Sequence, residues 1–180
     1  MADLMIRNAR LAFPNLLEPS SFTEKYGCVL LFEPTNPAAK EIEKIVTQVA
    51  TDKFRDKAAS VIKSTKASNR YPLHDGDEKA DYAGYEGMKF INANSRSKIR
   101  CYNPNRTAMT EEEMREKMYS GAVVNALVSI YAFANSYGKG FGVEVRGLQF
   151  VKDADRFSGG SPASGEDFPE IEEQDGDIPW

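Results

Sequence analysis

Apolar positions along the chain change period several times, and the changes divide it into elements. From Leu4 to Phe13 they alternate, with Met5, Ala9, Leu11 and Phe13 on one face and Arg7 sharing that parity, which predicts a strand. A loop holding Pro19 follows over 15–23. Over 25–33, Tyr26, Cys28, Leu30 and Phe32 face one side and Val29 and Leu31 the other, the pattern of a strand buried on both faces. Pro34 and Pro37 end it. Asn36 is placed to cap a helix and Pro37 to fill its first turn. Ile42, Ile45, Val46 and Val49 then recur at helical spacing, and Phe54, Ala58, Val61 and Ile62 continue the stripe. One helix lying on a sheet is therefore predicted over 37–64.

Residues 69–87 carry Pro72, Gly76, Gly84 and Gly87 and no period, so they read as a long irregular region. Two strands are predicted over 88–93 and 97–102, joined through Asn94, Ser95 and Arg96. Thr110 and Glu113 form a capping-box signature for a short helix reaching Tyr119, with Met114 and Met118 facing inward. The strongest strand pattern is 121–133, where Val124, Ala126, Val128, Ile130 and Ala132 share the core face. A turn over 135–140 returns the chain as a last strand over 141–151. The sum is an α+β fold dominated by β. Strand counting alone selects no topology.

Chemistry gathers in two of these elements. In the segment 97–102, Lys98, Arg100 and Tyr102 fall on one face and Ile99 and Cys101 on the other, with Lys89 and Arg96 nearby in sequence. An ordinary solvated strand face would look similar. Two cations and a ring together also suit a nucleic-acid strand, whose phosphates meet cations and whose bases stack on rings. The last hairpin gathers Tyr131, Phe133, Tyr137, Lys139 and Phe141 around its tip. Any one of these rings could be core, but polar-tipped rings beside Gly and Lys fit a stacking loop better.

Charge sharpens that reading. Of 27 acidic and 23 basic side chains, nine acidic and one basic lie in 153–180, leaving a body near +4 and a tail near −8. The split points to polyanion binding by the body and to an acidic arm. From Ser158 onward a Gly/Ser spacer leads into seven carboxylates and the end Asp175-Gly176-Asp177-Ile178-Pro179-Trp180. Such a composition predicts a disordered acidic tail over 158–180 behind a folded domain over 1–157. Its apolar plug, Ile178, Pro179 and Trp180, sits beside Asp175 and Asp177 and suits a small hydrophobic pocket rimmed by cations.

Cys28 and Cys101 stand far apart with no metal-ligand spacing, and no apolar run approaches the roughly 20 residues that span a membrane. A reduced cytoplasm suits both features. Asp75, Asp77 and Asp81 beside His74, the sole histidine, match no calcium loop and read as solvated loop. No phosphate-cradling loop, nucleophile elbow or Cys/His pair is present. A binding protein is expected rather than an enzyme, with no cofactor or metal. A metal-dependent nuclease using the three aspartates and an acidic decoy for a host protein remain as rivals.

The C-terminal end resembles that of bacterial single-stranded DNA-binding proteins, which finish on an acidic run and Ile-Pro-Phe; Trp180 replaces the Phe here. Three stretches of the body resemble phage-encoded single-stranded DNA-binding proteins. They are Tyr71-Pro72-Leu73-His74-Asp75-Gly76-Asp77, then Gly84 through Ala93, and Gly140 through Val145 continuing at Gln149 to Asp153. The replication protein of short-tailed coliphages is broadly similar. The resemblance implies a five-stranded oligonucleotide-binding (OB-fold) barrel with one long helix. It also implies coating of exposed strands during phage replication, recombination or repair. Replication or recombination proteins would be recruited through the tail, and a homo-oligomer is among the expected assemblies.

Overall fold

The computed structural model describes residues 2–157 and 168–171; Asp175, Asp177, Ile178, Pro179 and Trp180 lie outside them, as does most of the expected tail. In chain order the elements are β1 (Ala2–Asn15), β2 (Tyr26–Phe32), α1 (Pro37–Phe54), α2 (Ala58–Ala67), β3 (His74–Asp75), β4 (Lys89–Ser95), β5 (Cys101–Tyr102), α3 (Glu111–Lys117), β6 (Val123–Asn135) and β7 (Gly138–Lys152). The strands join in the order β3-β4-β2-β1-β6-β7-β5. A parallel bridge from Asn94 to Glu144 connects β4 back to β7, so β4, β2, β1, β6 and β7 pair in a ring. The fold is mostly β with one long helix. Among the described residues, no helix is long and apolar enough to cross a membrane.

Inside the ring, Leu4, Ile6, Ala9 and Leu11 of β1 meet Leu30 and Phe32 of β2, Ile91 and Ala93 of β4, Val124 to Ile130 of β6, and Val145 and Leu148 of β7. Helix α1 covers this core with Ala38, Ile42, Val46, Val49, Ala50 and Phe54. Each large aliphatic or Phe side chain fully buried there contributes about 1.5–3 kcal/mol. A smaller cluster, Ala12, Leu31, Tyr85 and Phe90, packs separately, with Val29, Met88 and Phe157 against it. Residues 76–88 supply its cover through Tyr85 and Met88.

The sequence pattern held for β2, α3 and β6. The Thr110–Glu113 capping box forms as expected, with Met114 and Met118 buried. Four expectations need correction. Leu4 and Ile6, not Met5, face the core, because β1 shifts register between Ile6 and Ala9 where Asn8 takes φ +56. That bulge reverses the parity halfway and leaves Met5 exposed, and Phe13 is exposed at a second register shift, between Ala12 and Asn15, where it takes φ +45. The single helix predicted over 37–64 is two. It breaks at Arg55, φ +55, into a short 3-10 turn before α2.

The strand predicted over 97–102 shrinks to Cys101–Tyr102, paired with Leu148 and Gln149. Single backbone bonds tie the rest, Ile99 N–H to the Leu16 carbonyl at 3.1 Å and Leu148 N–H to that of Arg100 at 3.0 Å. Its side-chain alternation survives without a ladder, with Ile99 and Cys101 buried and Lys98 and Arg100 exposed. Residues 69–87 are not wholly irregular either: His74 and Asp75 pair with Phe90 and Lys89.

Candidate nucleic-acid interface

The β6–β7 hairpin places Tyr131 opposite Gly142 and Phe133 opposite Gly140. A Cβ on Gly142 would sit 2.3 Å from the Tyr131 Cζ and Oη, and one on Gly140 would sit 2.9 Å from the Phe133 Cζ. The two rings therefore rest on bare backbone of the neighbouring strand, and side chains there would push them away. Their centroids lie 6.4 Å apart. Phe133 is exposed and Tyr131 half-buried, while Tyr137 at the turn is 91% exposed. Lys139 reaches back so that its Nζ lies 5.8 Å from the centre of the Phe54 ring at the end of α1. Tyr131, Phe133 and Tyr137 thus share one hairpin, while Lys139 lies on its other face, toward α1.

The others are spread out. Tyr102 aligns with Gln149, nine positions along β7 from Gly140, about 30 Å away at ~3.4 Å per residue. Arg100 and Arg96 are exposed near that end of the sequence segment, and no ion pair among the described residues engages them or Lys139. Lys98 is held by Glu111 at 3.0 Å, and Lys89 by Asp75 at 3.6 Å. The bond from Lys98 keeps the Glu111 carboxyl below its ordinary value. Both lysines already carry a counter-charge, although each pair is solvent-exposed and weak.

Two of the three aspartates of the nuclease reading are occupied in building the loop. Asp75 accepts from the Asp77 N–H at 3.1 Å, and Asp77 accepts from the Gly87 N–H at 2.8 Å. Among the described residues, no group of three or more His, Cys, Asp or Glu side chains lies close enough to hold a metal ion. Burial pushes the Cys28 and Cys101 thiols up to about 12, which leaves them inert as nucleophiles.

The sequence pattern missed the main concavity. A cleft of about 940 Å³ opens over the β1–β2 side, bounded by Phe13 and Val29, by Phe22 in the loop before β2, by Lys79 and Tyr82, and by Arg156. Phe13 leaves the strand at φ +45, a conformation that costs an L-residue roughly 1–2 kcal/mol. From it a chain of rings runs inward. Phe13 meets Tyr82 edge-on at 5.5 Å, Tyr82 meets Tyr85 at 5.7 Å, and Tyr85 meets Phe90 at 5.2 Å. His74 stacks on Phe90 at 4.9 Å. Burial pushes the Tyr85 hydroxyl up to about 12.

One end of the cleft is fixed by the last described stretch of the domain. Arg10 donates to the carbonyls of Gly121 at 2.6 Å and Asp155 at 2.8 Å, and its guanidinium lies 4.4 Å from the centre of the Phe157 ring. Phe157 in turn occupies the space a side chain at Gly84 would need, and Gly84 takes φ +86. Arg156 covers Tyr119 at 4.2 Å. No local period could announce this cleft, because Phe13, Phe22, Tyr82 and Arg156 come from four separate segments. The pair of positive-φ glycines around Tyr85 was its one visible trace.

A family profile described as "Enterobacter phage Enc34, ssDNA-binding protein" matches residues 2–178. The chain belongs to this family. Protein p50 of Acyrthosiphon pisum secondary endosymbiont phage 1 is 34% identical over 175 residues, which is 93% of each chain. The single-stranded DNA-binding protein from bacteriophage Enc34, solved in complex with ssDNA, matches with a TM-score of 0.72 at 22% identity, over 87% of this chain and 89% of that one. The single-stranded DNA-binding protein gp2.5 of bacteriophage T7 matches with a TM-score of 0.54 at 10% identity, over 91% and 99% of the two chains. At such identities the structural likeness concerns the fold. Membership of the Enc34 family agrees with the resemblance read from the three stretches of the body.

Proposed function

We propose that the chain binds single-stranded DNA without strong sequence preference and coats it as an OB-fold barrel. The observation that carries this reading is the pair of rings, Tyr131 and Phe133, laid over Gly142 and Gly140 at 6.4 Å spacing in a member of the Enc34 family. Rings supported from below by backbone offer their outer side to bases, and stacking tolerates every base because each has a π-face. Tyr137 extends that surface at the hairpin tip, and Lys139, on the hairpin's other face, meets a phosphate. Arg96 and Arg100 meet phosphates, Lys89 and Lys98 join them once their counter-charges yield, and Tyr102 stacks on a base.

The domain over 1–157 does the binding. The tail over 158–180 recruits replication or recombination proteins through Asp175, Asp177, Ile178, Pro179 and Trp180. The setting is phage replication, recombination or repair in the cytoplasm of the host cell, with copies of the chain assembling on the strand. The chemistry is that of binding and not of catalysis.

Intrinsic fluorescence titrated with oligo-dT, oligo-dA and mixed-sequence strands tests this, with duplex as competitor. Saturable quenching of similar affinity for each strand is expected, and duplex should compete poorly. Strand loss that depends on a divalent ion would instead support the nuclease.

A further inference from the structure

We infer that the cleft between the loop before β2 and residues 79–85 is a seat for unpaired nucleotides. It is separate from the hairpin surface and selects single strands over duplex. The inference rests on the reading that the chain binds single-stranded DNA, and it assigns residues that neither the hairpin nor the sequence pattern supplies.

Three features of the cleft point to that ligand. The first is its rings. Phe13 and Tyr82 are each 52% exposed, meet edge-on and both line the cleft, and Phe22 in the facing loop is 95% exposed. Large apolar side chains left this open mark a binding surface. The second is charge. Among the described residues, Lys79 and Arg156 line the cleft, no carboxylate does, and no ion pair engages either cation. A chain of net charge −4 has thus kept its acids away from this concavity. The ligand should be anionic and ring-bearing. The third is the polar border, where Asn15, Ser20, Ser21, Thr23 and Ser120 supply donors and acceptors that base edges can use.

The number of rings decides between occupants. At about 940 Å³ the cleft lies near the upper end of the roughly 300–1,000 Å³ usual for small-molecule sites. Several ring faces need several partner rings in succession, which consecutive bases provide. The acidic end of this same chain offers two rings, Phe168 and Trp180, twelve positions apart in sequence, and supplies no run of successive rings. A duplex hides its base faces in its own stack and cannot present them to recessed rings.

The test compares wild type, the double variant F13A/Y82A and the single variant F22A, each at full length and again ending at Phe157. Each is titrated by fluorescence anisotropy with labelled oligo-dT and with labelled duplex, and thermal midpoints check the fold. F13A/Y82A should lose oligo-dT affinity by about fivefold or more while duplex binding stays unchanged. F22A should show a smaller loss in the same direction, and its exposure leaves the fold intact. If wild type binds oligo-dT and both variants match it, the cleft is not the seat, although the chain still binds single strands. An equal loss for strand and duplex overturns the selectivity. If the variants differ from wild type only while residues 158–180 are present, the cleft belongs to the tail and the inference fails. A wild type that binds no oligo-dT removes the broader reading together with this one.

Discussion

A single methyl group on the outer face of β7 can move an aromatic ring without touching the core. In Gly142→Ala the new Cβ would land 2.3 Å from the far end of Tyr131, so the ring must swing away while the strand stays in place. Oligo-dT affinity should fall by about fivefold or more, the value of one lost stack, with little change in thermal midpoint. Anisotropy titration beside a melting curve reads both. Unchanged affinity would remove Tyr131 from the interface. His74 makes a different kind of prediction. Burial holds its imidazole below the ordinary value of 6.5, Glu78 pulls the other way, and Lys79 adds to burial. The folded state therefore prefers the neutral ring, so stability is complete above that value and is lost as pH falls below it. His74→Phe keeps a ring on Phe90 and should flatten that acid limb. Urea midpoints at about pH 7.5 and about pH 5.5 show whether it does.

At the scale of elements, the junction between α1 and α2 is the point of strain. Arg55 takes φ +55 and ψ −121, where a side chain is costly, and its N–H closes the end of α1 onto the Thr51 carbonyl. Arg55→Gly should stabilise by roughly 1 kcal/mol and raise the melting midpoint by about 2–4 °C. A lower midpoint would show that the arginine side chain contributes more than its backbone costs. This junction also marks the limit of sequence reading. The apolar stripe runs on through Phe54, Ala58 and Val61, so periodicity sees one helix where the backbone makes two. In β1 the bulge at Arg7 and Asn8 defeats period-two reasoning in the same way, because one inserted residue exchanges the inner and outer faces. By contrast β2, β6 and α3 were legible because their burial and caps are decided within a few consecutive residues. The hairpin rings were legible too, being close in sequence. The ion pairs of Lys89 and Lys98 and the aromatic cleft were not, because their partners come from distant segments.

For the molecule as a whole, charge is divided between a positive body and a negative tail, and each half predicts a salt dependence. If Arg100 meets a phosphate, Arg100→Ala should lower the steepness of log affinity against log salt by roughly one. The tail is a polyanion tethered to a body of opposite charge. A chain ending at Phe157 should bind oligo-dT more tightly at low salt, and the gain should vanish as salt rises. Weaker binding at every salt concentration would contradict such competition. Rings and cations acting together leave a distinct signature, and the measurement that reads it most directly is the affinity of the full-length protein for labelled oligo-dT across a salt series. Saturable binding is expected, with log affinity falling linearly in log salt by about 0.7 per phosphate neutralised and a stacking component persisting at high salt. A flat signal at the lowest salt, or duplex binding as tight as oligo-dT, would contradict the proposal that this chain holds unpaired strands.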